Sequence, residues 1–204
     1  MVANLILASL GLILALGCRP WRLLRGATRL TPALAFLTIL PWIWALPSLH
    51  QMPLQLRGSG ACLVVLVLGW PLAIPLLCVV GVLAVLISPM PWATALDITV
   101  WSGMVPATLA LVLGAALRRW LGHHVFIYIL GRAFAGTALC VFASSVLGQW
   151  TGHSLPGIDN DLGLVAHGLA AWGDAFLTGM FAALMVAYKP DWLATWSDQL
   201  YLKR

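Results

Sequence analysis

Three ionisable side chains lie inside long apolar stretches of the sequence and are the first candidates for chemistry: Arg132, His167 and Asp174. Ionisable groups are costly inside a membrane, so those found there are functional candidates by default. His167 and Asp174 are two helical turns apart, which places them on one face of a helix. Because a helix rises about 1.5 Å per residue, the long side chain of Arg132 can reach the depth of Asp174. The sequence therefore predicts an ion pair between these two residues.

The role of the predicted Arg132–Asp174 pair is left open by the sequence. The pair could only hold two helices together, or it could take part in binding or gating a substrate. The third possibility is that the two residues do not pair. Removing one partner of a buried pair leaves an uncompensated charge and costs about 3–5 kcal/mol, so mutation can distinguish these cases.

A weaker alternative site lies around the polar segment that precedes the last apolar stretch. It consists of His153, Asp159, Asp161 and His167. Imidazole and carboxylate groups together suit a borderline divalent metal, but their spacing here matches no fixed motif, and a solvated loop is the other interpretation. The sequence contains no nucleotide-binding loop, zincin motif, serine elbow or haem-attachment sequence. We therefore expect no enzymatic activity and no cofactor.

The composition shows what kind of element positions these residues. Hydrophobic residues make up 62% of the chain and charged residues 8%, whereas soluble domains carry roughly 25% charged residues. The apolar runs have the length needed to cross a bilayer, and the eleven tryptophans fit the aromatic belts of membrane interfaces. The net charge of +5 comes from basic residues in short loops, which is typical of topology signals and not of a nucleic-acid partner. The four scattered cysteines are interpreted as small core residues.

The apolar runs predict an all-α fold, a polytopic bundle of about seven transmembrane helices in contact with the lipid bilayer. The predicted spans are 2–18, 31–48, 58–72, 73–89, 97–117, 125–148 and 163–188. Residues 1–188 form one transmembrane domain, and the amphipathic segment 189–204 is predicted to lie on the cytoplasmic interface or to dock a partner. The stretch 60–88 is apolar throughout, and one continuous helix there would reduce the number to six. Gly69-Trp70-Pro71 favours a break, since proline disrupts a helix interior.

Charge placement favours seven spans, with the N-terminus outside and the C-terminus in the cytoplasm. With this topology nine of the eleven basic residues fall on the cytoplasmic side, which agrees with the positive-inside bias. These nine are Arg19, Arg22, Arg25, Arg29, Arg118, Arg119, Lys189, Lys203 and Arg204. The loop 149–162 carries no lysine or arginine and falls outside.

Several stretches of the chain resemble the CbiM-like permeases, the substrate-binding membrane components of energy-coupling-factor transporters for cobalt and nickel. Within that group they are most similar to a small proteobacterial branch. The matching pieces, which together cover about 57–192, are Gly60-Ala61-Cys62 through Gly69-Trp70-Pro71-Leu72-Ala73, His124-Val125-Phe126-Ile127-Tyr128-Ile129, and Asp174-Ala175-Phe176-Leu177-Thr178-Gly179-Met180 continuing into Tyr188-Lys189-Pro190-Asp191-Trp192. The resemblance implies a multi-pass permease of the bacterial cytoplasmic membrane that binds a small substrate or assists its uptake. Its partners would be a coupling permease and ATPase subunits. The alternative is an accessory or assembly subunit of a larger inner-membrane complex that has lost the ligand site.

The chain departs from the cation-binding members of this family at the positions that would hold the metal. Those members begin with Met-His, whereas this chain begins Met1-Val2-Ala3, and Arg57 stands at or beside the position of a further histidine. The acidic residue of the last span is matched by Asp174, but Arg132 replaces a neutral polar residue. Guanidinium groups have no lone pair to donate and stay charged. We therefore expect no cobalt or nickel at the family site, and a substrate-binding or structural role for Arg57, Arg132, His167 and Asp174.

Overall fold

The computed structural model describes residues 2–21, 29–50, 58–121, 124–152 and 160–196. Within these ranges the chain forms seven helices and no strands, which confirms the predicted all-α bundle. The helices are α1 (Val2–Gly17), α2 (Leu30–Leu49), α3 (Ala61–Leu68), α4 (Trp70–Ile87), α5 (Trp92–Trp120), α6 (Ile127–Trp150) and α7 (Asn160–Tyr188).

Five of these helices, α2 and α4 to α7, are long and apolar enough to cross a membrane. Large hydrophobic side chains are exposed on their outer faces, among them Leu86, Val112 and Phe176. Such side chains are suited to lipid and not to water, because transferring apolar surface out of water is favourable. The chain is therefore a multi-pass membrane protein whose outer surface contacts lipid. Helix α1 is apolar but shorter, with 16 residues.

Helix α3 differs from the others because it is short and enclosed by protein. It has only eight residues, so at about 1.5 Å per residue it covers about 12 Å and cannot cross the bilayer alone. Ala61, Val64 and Val67 have no exposed surface, and the remaining residues of the helix are almost all buried. The apolar character of this segment thus reflects burial inside the bundle. Non-helical backbone at membrane depth is tolerated where protein surrounds it.

The break between α3 and α4 lies at Gly69, as the sequence predicts. Gly69 has φ of 81°, a conformation that residues with a side chain rarely adopt. Its amide still bonds to the carbonyl of Val65 and closes α3. Pro71 then lies in the first turn of α4, where its missing N–H would have no partner in any case. Two helices therefore cover 60–88.

Two of the long helices contain π-helical turns, at Thr99–Met104 in α5 and at Ile127–Ala135 in α6. Such turns are frequent at functional sites. In α5 the π turn is followed by Pro106, which lacks the N–H that would otherwise bond to the carbonyl four residues earlier, that of Ser102. This carbonyl is therefore available to a partner outside its own helix.

Contacts between distant parts of the chain define two ends of the bundle. At one end, here called the tail end, the amide of Ala194 donates to the carbonyl of Val67, so the segment after α7 lies beside the end of α3. At the opposite end, Asn4 of α1 donates to Asp97 of α5 at 2.7 Å. Basic residues follow the helices that end at the tail end. This agrees with the prediction that one side of the bundle carries most of the positive charge. Its assignment to the cytoplasm stays a prediction.

Candidate functional site

The centre of the bundle holds a network of hydrogen bonds built around Ser59, which precedes α3 and is 1% exposed. Its backbone amide donates to Asp174 Oδ2 at 2.6 Å, and its hydroxyl donates to the Ser102 carbonyl at 2.5 Å. Its carbonyl accepts a bond from Trp44 Nε1 at 3.2 Å, and its hydroxyl oxygen accepts one from the Ala61 amide, also at 3.2 Å. Ser59 thus connects the start of α3 to α2, α5 and α7.

Asp174 acts as an N-terminal cap for α3, although it belongs to α7. Asp174 is 6% exposed, and the amide of Ser59 donates to its carboxylate. The first amides of a helix have no partner within the helix, and a negative charge there is favourable. Gly58 allows the close approach, because a Cβ at that position would lie 3.3 Å from Asp174 Oδ1.

Arg132 of α6 is 7% exposed, and it lies beside α3, where it lines a cavity together with Cys62, Val65 and Leu66. Its guanidinium packs against Gly114 of α5, where a Cβ would lie 2.7 Å from Nε and 2.8 Å from Cζ. Its Cζ is 5.8 Å from the centre of the Tyr128 ring, within the range of a cation–π contact. Gly114 is therefore required for the guanidinium to fit between the helices.

A small cavity lies beside this guanidinium. Its lining includes Arg132, Cys62 and Gly136, and about 10 Å³ is open to the centre of a water molecule. A space of this size holds about one water. The cavity also borders Val65 and Leu66 of α3, so a cation lies beside this helix, whereas the Asp174 network supplies an anion just before its start.

The structure gives the predicted Arg132–Asp174 pair a different arrangement. Among the described contacts, the carboxylate of Asp174 is bound by the amide of Ser59, and Arg132 is not among its partners. Arg132 contacts Gly114 and Tyr128 instead. Asp174 binds the backbone just before α3, and Arg132 lines a cavity together with Cys62, Val65 and Leu66 of the same helix. The polar partner of Asp174 is the backbone at the start of α3. The depth of a residue along its own helix could not reveal that partner.

The structure locates only some of the other predicted site residues. Arg57, His153 and Asp159 lie outside the described residues, as does the side chain of Asp161. His167 is half-buried on α7. Within the described ranges, no group of three or more histidine, cysteine, aspartate or glutamate residues is arranged to hold a metal ion. The alternative metal site around residues 153–167 stays a prediction.

The opposite end of α3 is capped by the segment that follows α7. The Ala194 amide donates to the Val67 carbonyl at 2.9 Å, and Thr195 Oγ1 donates to the Leu66 carbonyl at 2.9 Å. The Tyr128 hydroxyl contacts Thr195 Oγ1 at 2.8 Å. Residues 193–196 thus pack into the tail end, while residues 197–204 of the predicted interfacial segment lie outside the described ranges.

Sequence reasoning did not single out Ser59, Trp44 or Ser102. One usable signal was Gly58-Ser59-Gly60, a small polar residue between two glycines at the start of an apolar run. Gly60 has φ of 62°, so this position favours glycine over any residue with a side chain. A second signal was Pro106, which predicts a free carbonyl one helical turn earlier.

No protein-family model matches the chain, and neither a curated protein nor a solved structure matches it. The fold and the central network define the class of protein: an all-α, multi-pass membrane protein with a short enclosed helix capped at both ends by α7 and the segment after it.

Proposed function

We propose that the protein is a permease-like component of the bacterial cytoplasmic membrane, related to the substrate-binding components of energy-coupling-factor transporters. It binds a small solute or assists its uptake, and it has no ATPase of its own. The resemblance of about 57–192 to the CbiM-like permeases supports this proposal. The observation that carries it is the start of a short helix in the middle of the bundle, next to a buried carboxylate.

Interrupted helices are the typical binding elements of membrane transporters, because they expose backbone groups near the middle of the bilayer. Asp174 is the central residue of the 29-residue helix α7, and it binds the backbone just before α3. The non-helical backbone at Gly58-Ser59-Gly60 therefore lies at mid-depth, where a solute would be held.

The central site is closed in this structure. Asp174 occupies the Ser59 amide that precedes α3, and the cavity beside Arg132 has room for about one water. Solute binding therefore requires the first turn of α3 to separate from α7, or Asp174 to exchange this amide for the solute. In either case α3 is the element that moves or changes partners.

Cobalt and nickel do not suit this site as solutes. A transition ion is held by lone pairs of imidazole, thiolate or carboxylate groups, and Arg132 supplies a permanent positive charge with no lone pair. Asp174 is a single carboxylate, and one of its oxygens already accepts the Ser59 amide, so it offers a metal few lone pairs. We expect purified protein to contain neither metal in stoichiometric amount.

The proposal is tested by purifying the protein from its native membranes and identifying retained small molecules by mass spectrometry, with metal analysis in parallel. Wild-type protein should retain a solute at up to one molecule per chain, and Asp174→Asn should lose most of it. Asp97→Asn is the matched control, because Asp97 is bound by Asn4 near the opposite end and should leave retention unchanged. The identified solute is then tested for uptake into proteoliposomes or cells. Wild-type protein that retains no solute would contradict the proposal.

A second candidate function is that of an accessory subunit of a larger inner-membrane complex. The observation that favours it is the internal pairing of the Ser59 network, in which the donors and acceptors of Ser59, Asp174 and Trp44 bond one another. Such a network needs no ligand to be stable. The protein would then serve as a scaffold for partner proteins.

Purification in a mild detergent after chemical cross-linking separates the two candidates. Stoichiometric recovery of a coupling permease and ATPase subunits supports the permease. Stoichiometric recovery of other membrane subunits, with no retained solute, supports the accessory role. The neighbouring genes give an independent indication of which of the two candidate functions is right.

A further inference from the structure

Two buried thiols lie in contact next to the first turn of α3. Cys62 of α3 is 2% exposed and Cys140 of α6 is 4% exposed. They pack together with Val141 and Ala171 in one buried cluster, and the Cys62 thiol donates to the carbonyl of Pro106 at 3.8 Å. The sequence interpretation of the cysteines as scattered core residues did not anticipate this pairing, because 62 and 140 are far apart in the chain.

We propose that Cys62 and Cys140 are a redox pair, and that oxidation joins the first turn of α3 to α6 by a disulfide bond. The two S–H bonds break, one S–S bond forms, and two electrons and two protons pass to a lipid-soluble quinone, which becomes a hydroquinone. A quinone is suited to this step because it dissolves in the same apolar phase that surrounds the bundle. The product is an uncharged bond that fits an apolar core.

The location of the pair gives the bond a consequence for α3. The backbone before α3 is held by Asp174 of α7, and Cys62 in the first turn of α3 packs in one cluster with Cys140 of α6. In the reduced protein this attachment of α3 to α6 consists of packing, which can separate. A disulfide, with its S–S distance of about 2.0 Å, would hold the start of α3 against α6. This inference needs no solute and stands apart from the proposed permease function.

The test uses the full chain in membrane vesicles, with diamide as the two-electron oxidant. The background variant Cys18→Ser/Cys78→Ser leaves only the proposed pair, since Cys18 is exposed and Cys78 lies on α4. After oxidation and denaturation, both remaining thiols should resist maleimide labelling, and the intact mass should fall by two hydrogen atoms. Dithiothreitol should restore both values. Adding Cys140→Ser supplies the matched control, which keeps one thiol labelled within the monomer.

Wild-type protein provides a second measurement that does not depend on any variant folding. Peptide mapping after diamide treatment should recover a cross-linked pair containing Cys62 and Cys140, and the oxidised protein should unfold at a higher temperature than the reduced protein. Full maleimide labelling of both thiols in oxidised wild-type protein would overturn the redox pair. An unchanged unfolding temperature with the cross-link present would overturn its role in holding α3.

Discussion

The carboxylate of Asp174 accepts a 2.6 Å hydrogen bond from the backbone amide of Ser59, a residue 115 positions earlier in the chain. This contact joins the middle of the last helix to the start of the shortest one. It places a carboxylate at a helix N-terminus, where the unpaired amides and the helix dipole both favour a negative charge. The fold thus supplies Asp174 with a backbone partner inside the membrane.

Replacing Asp174 by alanine should destabilise the protein, because the amide of Ser59 would be buried without its acceptor. A buried unsatisfied donor costs about 1–3 kcal/mol. Asp174→Asn should cost less, since the amide oxygen can still accept a bond. Folded yield and unfolding temperature in detergent measure both effects. Asp191→Ala, at an exposed position, is the control and should behave as wild type.

The effects of Arg132→Met and Asp174→Asn should be additive to within about 0.5 kcal/mol, as expected for residues that do not contact each other. This prediction replaces the one from sequence, which expected strong coupling through an ion pair. Its reason is that Asp174 binds a backbone amide while Arg132 packs against Gly114. A double-mutant cycle on unfolding in detergent provides the measurement. Coupling above this level would restore the ion pair.

Gly60→Ala should destabilise the start of α3. Gly60 has φ of 62°, and a Cβ there would lie 2.6 Å from Leu40 Cδ1. The left-handed conformation costs roughly 1–2 kcal/mol for a residue with a side chain. Gly173→Ala is the matched comparison, because no atom lies within 4 Å of its Cβ position, and it should leave the unfolding temperature unchanged or raise it. Equal effects at both positions would contradict this account of Gly60.

Thr195→Val should loosen the tail end of the bundle. It removes the hydroxyl that bonds the Leu66 carbonyl and contacts the Tyr128 hydroxyl, and each such bond contributes about 0.5–1.5 kcal/mol. Protease sensitivity after α7 should rise, and the unfolding temperature should fall. Thr38→Val, which removes a hydroxyl bonded within its own helix, should change neither. A Thr195→Val protein with wild-type protease resistance would argue against capping by this segment.

Reporter fusions after Arg29, Arg119 and Arg204 should be cytoplasmic, and a fusion after Pro156 periplasmic, because basic residues are retained on the cytoplasmic side. The helix directions agree with this pattern: α5 ends at Trp120 and α6 begins at Ile127, so both have an end on one side of the bundle. A periplasmic signal at Arg119 would reverse the proposed orientation.

The sequence predicted the helices well because their limits depend on local chemistry. Apolar runs give the spans, and Gly69 followed by Pro71 gives the break, since both act on their own stretch of backbone. It also identified Asp174 and Arg132 as buried. It could not give their partners, because helical spacing defines a face and a depth but not which neighbouring helix that face meets.

For a related reason, the sequence could not predict that α3 is enclosed by protein. An apolar run of 58–72 has the same composition whether lipid or protein surrounds it. Its two ends are closed by Asp174 and by Ala194 and Thr195, which belong to a distant part of the chain. Only the three-dimensional arrangement brings these groups together, and neither periodicity nor spacing carries that information.

The double capping of α3 by the end of the chain has a consequence for biosynthesis. A ribosome makes Ala61–Leu68 more than a hundred residues before it makes Asp174 and Thr195. Until then the backbone groups at both ends of α3 lack their final partners, and unsatisfied backbone groups in hydrocarbon are costly. Nascent chains that stop short of Asp174 should therefore leave this segment outside the bilayer core or bound to an insertion factor. Insertion of α7 then becomes the step that commits the middle of the chain to the membrane.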